Sequence, residues 1–176
     1  MSVFLQPIYT QTVGATSVAS VTFNNIPQTF TDLRLVISAR IDASSGDFGI
    51  RFNADNSNSY SWTYLSGNGA SASSSRLSSG SLTEYPAGTL NGTDTTSSVF
   101  SPNDIYISNY TGANYKSIIC DAARENNGTT GISWMDAGLW SKTNAITSMT
   151  IRPYNGNGNF VQYSTFSLYG VLRQGI

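Results

Sequence analysis

The chain has 176 residues, a formal net charge of -1 and no histidine. Its nine basic residues are spread from Arg34 to Arg173, which excludes the charged surface typical of nucleic-acid and anionic-lipid binding, and the missing imidazole removes the commonest general acid/base. The polar half is mainly 27 Ser, 19 Thr, 16 Asn and 16 Gly, yet 39% of the chain is hydrophobic, so the composition predicts one folded domain with a structural or binding role and no enzyme activity.

The first half of the chain predicts an arm followed by regularly spaced strands. Residues 1–16 have a weak pattern and are predicted to form an N-terminal arm, with a β-sandwich domain over residues 17–176 and a first strand near 18–23. Leu33, Leu35 and Ile37 then alternate with polar residues, which is the period of a half-buried strand.

Two further runs have the same period. Phe48, Ile50 and Phe52 alternate after the polar turn 42–47, so this run and the preceding one predict a hairpin. A run of three aromatic residues at period two comes next, namely Tyr60, Trp62 and Tyr64. Together the three runs predict an antiparallel meander.

Residues 66–98 differ from the rest because Ser, Gly, Thr and Asn dominate them. Unstructured loops of this length are uncommon in compact domains and are usually functional or disordered. The sequence predicts an ordered excursion from the sandwich, with one short strand near 81–85.

Five more strands are predicted after the excursion, around 105–107, 118–122, 132–135, 146–151 and 166–172, each bounded by turn residues. A total of nine or ten strands at this spacing predicts an all-β fold, a single antiparallel β-sandwich of jelly-roll-like form. The residues predicted to lie inside are Leu33, Leu35, Ile37, Phe48, Ile50, Phe52, Ile118, Cys120, Met149, Ile151, Phe166 and Leu168.

Features that bear on cellular location are few. Cys120 is the only cysteine and lies in an apolar run, which favours a small buried side chain over a reactive thiol. The chain opens without a basic segment followed by a long apolar stretch, and no 18 apolar residues run together. The sequence therefore predicts neither classical secretion nor a membrane span.

The aromatic residues Tyr60, Trp62 and Tyr64 are the candidate binding site. Their shared face beside the excursion suits stacking on sugar rings, while burial in the core is the stronger alternative because large rings contribute the most buried area. A polysaccharide depolymerase would need two carboxylates, for which Asp121, Glu125 and Asp136 are the candidates. Turn capping explains the first two equally well.

No metal or cofactor is predicted. The loops 42–47 and 53–58 are rich in the oxygen ligands that Ca²⁺ accepts, but neither completes an EF-hand loop. Asp and Asn in such loops normally bond to their own backbone.

Three segments carry a resemblance to a known group of proteins: FTDLRLVISAR at 30–40, IRFN through SYSW at 50–62, and STFSLYGV at 164–171. Together they resemble the small β-sandwich virion proteins of tailed bacteriophages, which include capsid decoration (cement) proteins and tail appendage domains. The likeness runs from about residue 18 to 171 and contains no catalytic motif.

The resemblance implies a virion structural protein that is made in the host cytoplasm and assembles with other virion proteins. A capsid decoration subunit that stabilises the head through contacts with the major capsid protein is the first expectation, with a homo-oligomer, for instance a trimer, as its assembly state. A tail-fibre or appendage domain that binds host-surface glycan is the alternative. Assembly contacts are expected from the arm, residues 1–12, and from the excursion.

Overall fold

The computed structural model describes residues 3–173, apart from the side chains at positions 3, 78, 79 and 173, and confirms an all-β sandwich. It has twelve strands, more than the nine or ten predicted. In chain order they are β1 (Val3–Thr12), β2 (Val21–Phe23), β3 (Asp32–Ala39), β4 (Gly46–Phe52), β5 (Tyr60–Gly67), β6 (Ala72–Leu82), β7 (Tyr85–Leu90), β8 (Ser101–Ile107), β9 (Lys116–Glu125), β10 (Gly131–Trp140), β11 (Met149–Pro153) and β12 (Thr165–Arg173). Across these residues, no helix is long and apolar enough to cross a membrane.

The strands form two antiparallel sheets of unequal size. The larger has the order β1-β12-β3-β8-β9-β10-β5-β6, and the smaller has the order β2-β11-β4-β7. We call the face of the larger sheet that meets the smaller one the inner face, and the opposite one the outer face. The edge strand β7 contacts β8, β9, β10 and β5, so β6 and the ends of β5 and β10 next to it extend past the smaller sheet.

The predicted hairpin of β3 and β4 is wrong, because the two strands belong to different sheets. β3 pairs with β12 and β8, whereas β4 pairs with β11 and β7. The segment that connects the two strands forms hydrogen bonds with more distant parts of the chain. Ile41 N donates to Asn91 O (3.0 Å) and Asp42 N donates to Asn159 O (3.0 Å). The chain thereby crosses from one sheet to the other, as β11 and β12 also do, in the manner of a jelly roll.

The predicted meander is wrong for the same reason, since β5 lies between β10 and β6. Residues 66–98 contain two strands instead of one short one. β6 forms the edge of the larger sheet, and β7 is buried along its whole length. β7 has few large side chains because its surroundings exclude them: a Cβ on Gly88 would lie 2.0 Å from Asn103 Oδ1 and 2.9 Å from the Phe48 ring.

Most of the predicted arm, residues 1–16, is a strand of the larger sheet. Residues 3–12 form β1, which pairs with β12 through a bulge between Pro7 and Tyr9. The Tyr9 ring stacks on Phe23 at 5.5 Å, and its hydroxyl donates to Asn24 O (2.6 Å). Met1 and Ser2 lie outside the described residues, as do positions 174–176 at the end of the predicted sandwich domain.

The core prediction is confirmed at every position. All twelve residues predicted to lie inside are at most 3% exposed, Cys120 among them. Two close approaches depend on glycine: a Cβ on Gly138 of β10 would lie 2.3 Å from the Tyr85 ring of the smaller sheet, and one on Gly170 of β12 would lie 2.2 Å from Phe30, in the loop before β3. Aromatic rings therefore fill the space that these glycines leave.

The loop after β7 receives five hydrogen bonds from one arginine. Arg40 Nη1 donates to Thr95 Oγ1 (3.0 Å), Thr96 O (2.8 Å) and Val99 O (3.2 Å), and Nη2 donates to Gly92 O and Thr95 O. A planar guanidinium offers this many donors in fixed directions, which an ammonium group does not.

We expect Arg40→Lys to loosen this loop. The charge is kept but most of the hydrogen bonds are lost, so the free energy of unfolding should fall by about 1–3 kcal/mol. Amide hydrogen exchange over residues 92–99 should accelerate while the strands stay protected. Arg76→Lys, at an exposed edge-strand position, is the matched control, and equal exchange in both variants would show that Arg40 does not hold the loop.

Candidate functional site

A row of three aromatic rings lies on the part of the inner face that the smaller sheet leaves uncovered. Trp62 and Tyr64 are two residues apart on β5, and Trp134 lies on β10 opposite Ser66. The ring centroids of Trp62 and Tyr64 are 4.7 Å apart, and those of Tyr64 and Trp134 are 4.4 Å apart with planes only 9° from parallel. All three rings are half-buried. We call them the aromatic row.

Tyr60, the remaining candidate for glycan stacking, is fully buried. Its hydroxyl accepts a hydrogen bond from Phe52 N (3.0 Å) and donates to Asp55 O (3.2 Å), and its ring packs beside Trp140 and Phe52. Burial raises the pKa of its phenol well above the usual range. The structure therefore leaves Trp62 and Tyr64 within reach of a ligand, whereas Tyr60 is a core residue.

A polar groove of 170 Å³ adjoins the Trp134 end of the row. It is lined by neutral polar residues of the β5–β6 hairpin together with one residue of β9 and two of β10. The lining residues are Ser66, Gly67, Asn68, Ser71, Ser73, Arg124, Ile132 and Trp134. We call it the polar groove.

The polar groove is fixed by hydrogen bonds of its own. Ser66 Oγ and Ser73 Oγ, on paired strands, are 2.9 Å apart. Asn68 Oδ1 accepts from Ala70 N (3.0 Å) and Ser71 N (2.8 Å), which closes the hairpin turn. Arg124 Nη1 donates to Ser45 Oγ, while its buried Nε has no partner. The groove thus offers hydrogen-bond donors and acceptors that no other described residue uses, on two strand ends and the turn between them.

A buried carboxyl group lies behind the aromatic row. Asp136 accepts hydrogen bonds from the Tyr85 hydroxyl and from Gly88 N (2.7 Å), and it is 1% exposed. Burial raises the pKa of Asp136 to about 7. The two hydrogen-bond donors lower this pKa, but they do not offset burial, and the negative charge of Asp47 raises it further. Burial also raises the pKa of Asp47 to about 6, although the Arg124 guanidinium opposes it.

The three carboxylates considered for a depolymerase do not converge. Asp136 lies opposite Cys120 in the pairing of β10 with β9 and shares its inner face, so Asp121, the next residue of β9, points to the outer face. Glu125 is at the end of β9, where its carboxylate accepts from Thr96 N and Thr96 Oγ1 (3.1 Å). The sheet itself separates Asp121 from Asp136.

In the two oxygen-rich loops, 42–47 and 53–58, the carboxylates of Asp42 and Asp55 accept hydrogen bonds from other residues of the protein. Asp42 accepts from Asn159 N (2.7 Å) and Asn159 Nδ2 (3.1 Å). Partial burial raises the pKa of Asp55, but bonds from Ser57, Ser59 and Trp140 outweigh it and hold that pKa below the usual range. Within residues 3–173, no three acidic, cysteine or histidine side chains cluster as metal ligands would.

The outer face carries an exposed aliphatic cluster. Leu65 and Met135 lie directly opposite each other on β5 and β10, and Ala137 lies opposite Ile119 on β9. Leu65 is 54% exposed, Met135 50% and Ile119 43%. A depression of 190 Å³ opens among them above Ala137. We call Leu65, Ile119, Met135 and Ala137 the outer patch.

Comparison of the chain with models of protein families, with curated proteins and with solved structures finds no match.

The buried carboxyl predicts an unusual dependence of stability on pH. A carboxyl whose pKa is raised by folding binds a proton in the native state that the unfolded chain releases, so stability falls as pH rises from about 4 to about 7. We expect Asp136→Asn to flatten this decline between pH 5 and 7. Since one pKa unit corresponds to about 1.4 kcal/mol, the change should be on the order of a few kcal/mol.

Urea denaturation at a series of pH values measures this effect. Asp121→Asn removes a carboxyl from the exposed face and is the control. If Asp136→Asn kept the decline of the unaltered protein, the buried carboxyl would not be its source.

Proposed function

We propose that the protein is a virion structural subunit of a tailed phage, a capsid decoration protein that binds neighbouring virion proteins through the outer patch. Two facts support this proposal. The segments at 30–40, 50–62 and 164–171 resemble virion sandwich proteins, and the outer patch is a cluster of large apolar side chains in contact with water. The outer patch is the observation that carries the proposal, because such clusters mark sites of association on soluble proteins.

The shape and border of the outer patch suit a protein partner. A depression among exposed aliphatic residues can receive one apolar side chain, which is how the central anchors of interfaces are buried. Polar groups lie next to it in the sheet: Asp121 is opposite Met135, and Asp104, opposite Asp121, is paired with Arg34 through Nε (2.8 Å). An apolar centre with a polar border is the usual anatomy of an interface.

The proposed partners are the major capsid protein and further copies of this chain, with a homotrimer as the proposed assembly state. β1 is paired within the larger sheet, so the outer patch replaces the arm as the proposed contact surface. A subunit that binds only the assembled shell stabilises that shell by mass action.

A second candidate function, recognition of host-surface glycan by a tail appendage, is favoured by a separate observation. The aromatic row and the polar groove lie on the opposite face of the same sheet from the outer patch. Half-exposed rings beside neutral polar groups are the kind of surface that binds amphipathic ligands.

We expect Met135→Asp to weaken association. The substitution puts a carboxylate into the centre of the outer patch, opposite Asp121, so binding to heads that lack the protein should fall at least about tenfold. Cosedimentation with such heads gives the affinity, and light scattering gives the assembly state of the free protein. Tyr115→Asp, which replaces another exposed large residue outside the outer patch (59% exposed), should bind as the unaltered protein does.

Immunogold labelling of virions separates the two candidate functions. Label over the heads is expected for a decoration subunit, and label confined to the tail tip would contradict it. Equal binding of heads by Met135→Asp and Tyr115→Asp would exclude the outer patch as the contact surface.

A further inference from the structure

We infer that the polar groove binds a single neutral sugar ring, stacked on Trp134. This inference deepens the second candidate function and rests on it for biological context, but the site itself is defined by residues that have no part in the outer patch. Trp134, which is half-buried, is the member of the aromatic row that also lines the groove.

Stacking requires one free ring face. Tyr64 covers one face of the Trp134 ring at a centroid distance of 4.4 Å. Trp134 also lines the groove, so a ligand bound there can meet the part of the indole that Tyr64 does not cover. Contact with Tyr64 already restrains the indole. A ligand that stacks on it therefore causes a smaller loss of side-chain entropy on binding.

The groove walls supply the hydrogen bonds that a polyol needs. Ser66 and Ser73 bond each other and keep further lone pairs, and Ser71 adds a third hydroxyl. Asn68 uses only its carbonyl oxygen in the hairpin turn, so its amide donors have no partner among the residues that the structure describes. Among the described residues the Arg124 guanidinium makes one hydrogen bond, through Nη1, so its Nη2 is a further donor for a ligand.

Local charge favours a neutral ligand over an anionic one. Ser45, which accepts from Arg124, also donates to Asp94 through its N (2.6 Å) and its Oγ (2.9 Å). Asp47 is a second carboxyl close enough to interact with the guanidinium. The positive charge of Arg124 is thereby already balanced, and a carboxylated sugar would gain little from it.

Size limits the ligand to one ring. The groove volume of 170 Å³ is below the roughly 300–1,000 Å³ of pockets that enclose drug-sized molecules. A longer glycan would therefore place one residue in the groove and extend along the half-exposed edges of Tyr64 and Trp62.

The test is a titration with methyl glycosides of glucose, galactose, mannose and N-acetylglucosamine, with methyl glucuronide as the anionic comparison. Indole fluorescence and ligand-observed NMR report binding, which should saturate in the millimolar range for at least one neutral glycoside. Trp134→Ala should weaken it at least tenfold. Ser73→Leu, an exposed edge-strand substitution that fills the groove without altering the ring, should do the same and guards against loss of fold in the first variant.

Ser133→Ala is the matched control, because it truncates the preceding residue of the same strand on the opposite face, outside the outer patch. It should leave glycoside binding unchanged. No saturable binding of any neutral glycoside, unchanged binding in Trp134→Ala and Ser73→Leu, or tighter binding of the glucuronide would each overturn the inference.

The outcome is separable from that of the proposed function. If the unaltered protein binds heads but no glycoside, only the inference of a sugar site is overturned. Glycoside binding together with label over the heads removes the appendage function and leaves the sugar site in place.

Discussion

The unequal size of the two sheets is the constraint on which the rest of this structure depends. Four strands cannot cover eight, so the smaller sheet seals a core over the middle of the larger one and leaves most of β6 and the adjoining ends of β5 and β10 open. Under the smaller sheet, rings such as Tyr60 are fully buried. Beyond its edge, Trp62, Tyr64 and Trp134 stack on one another and remain half-exposed. The candidate site thus lies at the border of the core, where the smaller sheet no longer covers the larger one.

The sequence was sufficient to predict the sandwich and its core, because alternation of large apolar residues directly reports burial on one face of a strand. Pairing was harder to predict. β3 and β4 each have a clear apolar face, but this pattern does not say whether the faces belong to one sheet or to two sheets that oppose each other. β7 was missed because Pro86, Ala87 and Gly88 are small, and they are small because the space between the sheets excludes larger side chains.

The same limit applies to the candidate site. Trp62 and Tyr64 are found by their spacing, whereas Trp134 and Arg124 join them only through the register of β10 with β5 and β9. Along β10 successive residues serve opposite faces, since Trp134 and Asp136 point inward and Met135 and Ala137 point outward. A shift of one residue in this register would exchange the two surfaces. The side chains of the two proposed surfaces therefore alternate along one short segment of β10.

The buried thiol has a consequence for handling and for measurement. Burial raises the pKa of Cys120 well above its usual range, and the side chain has no exposed surface, so the native protein offers neither access to the sulfur nor the thiolate that alkylating reagents attack. Iodoacetamide can modify this single cysteine only in molecules whose sheets have separated. The rate of alkylation at this sulfur therefore reports how readily the sandwich opens. The measurement needs no engineered label.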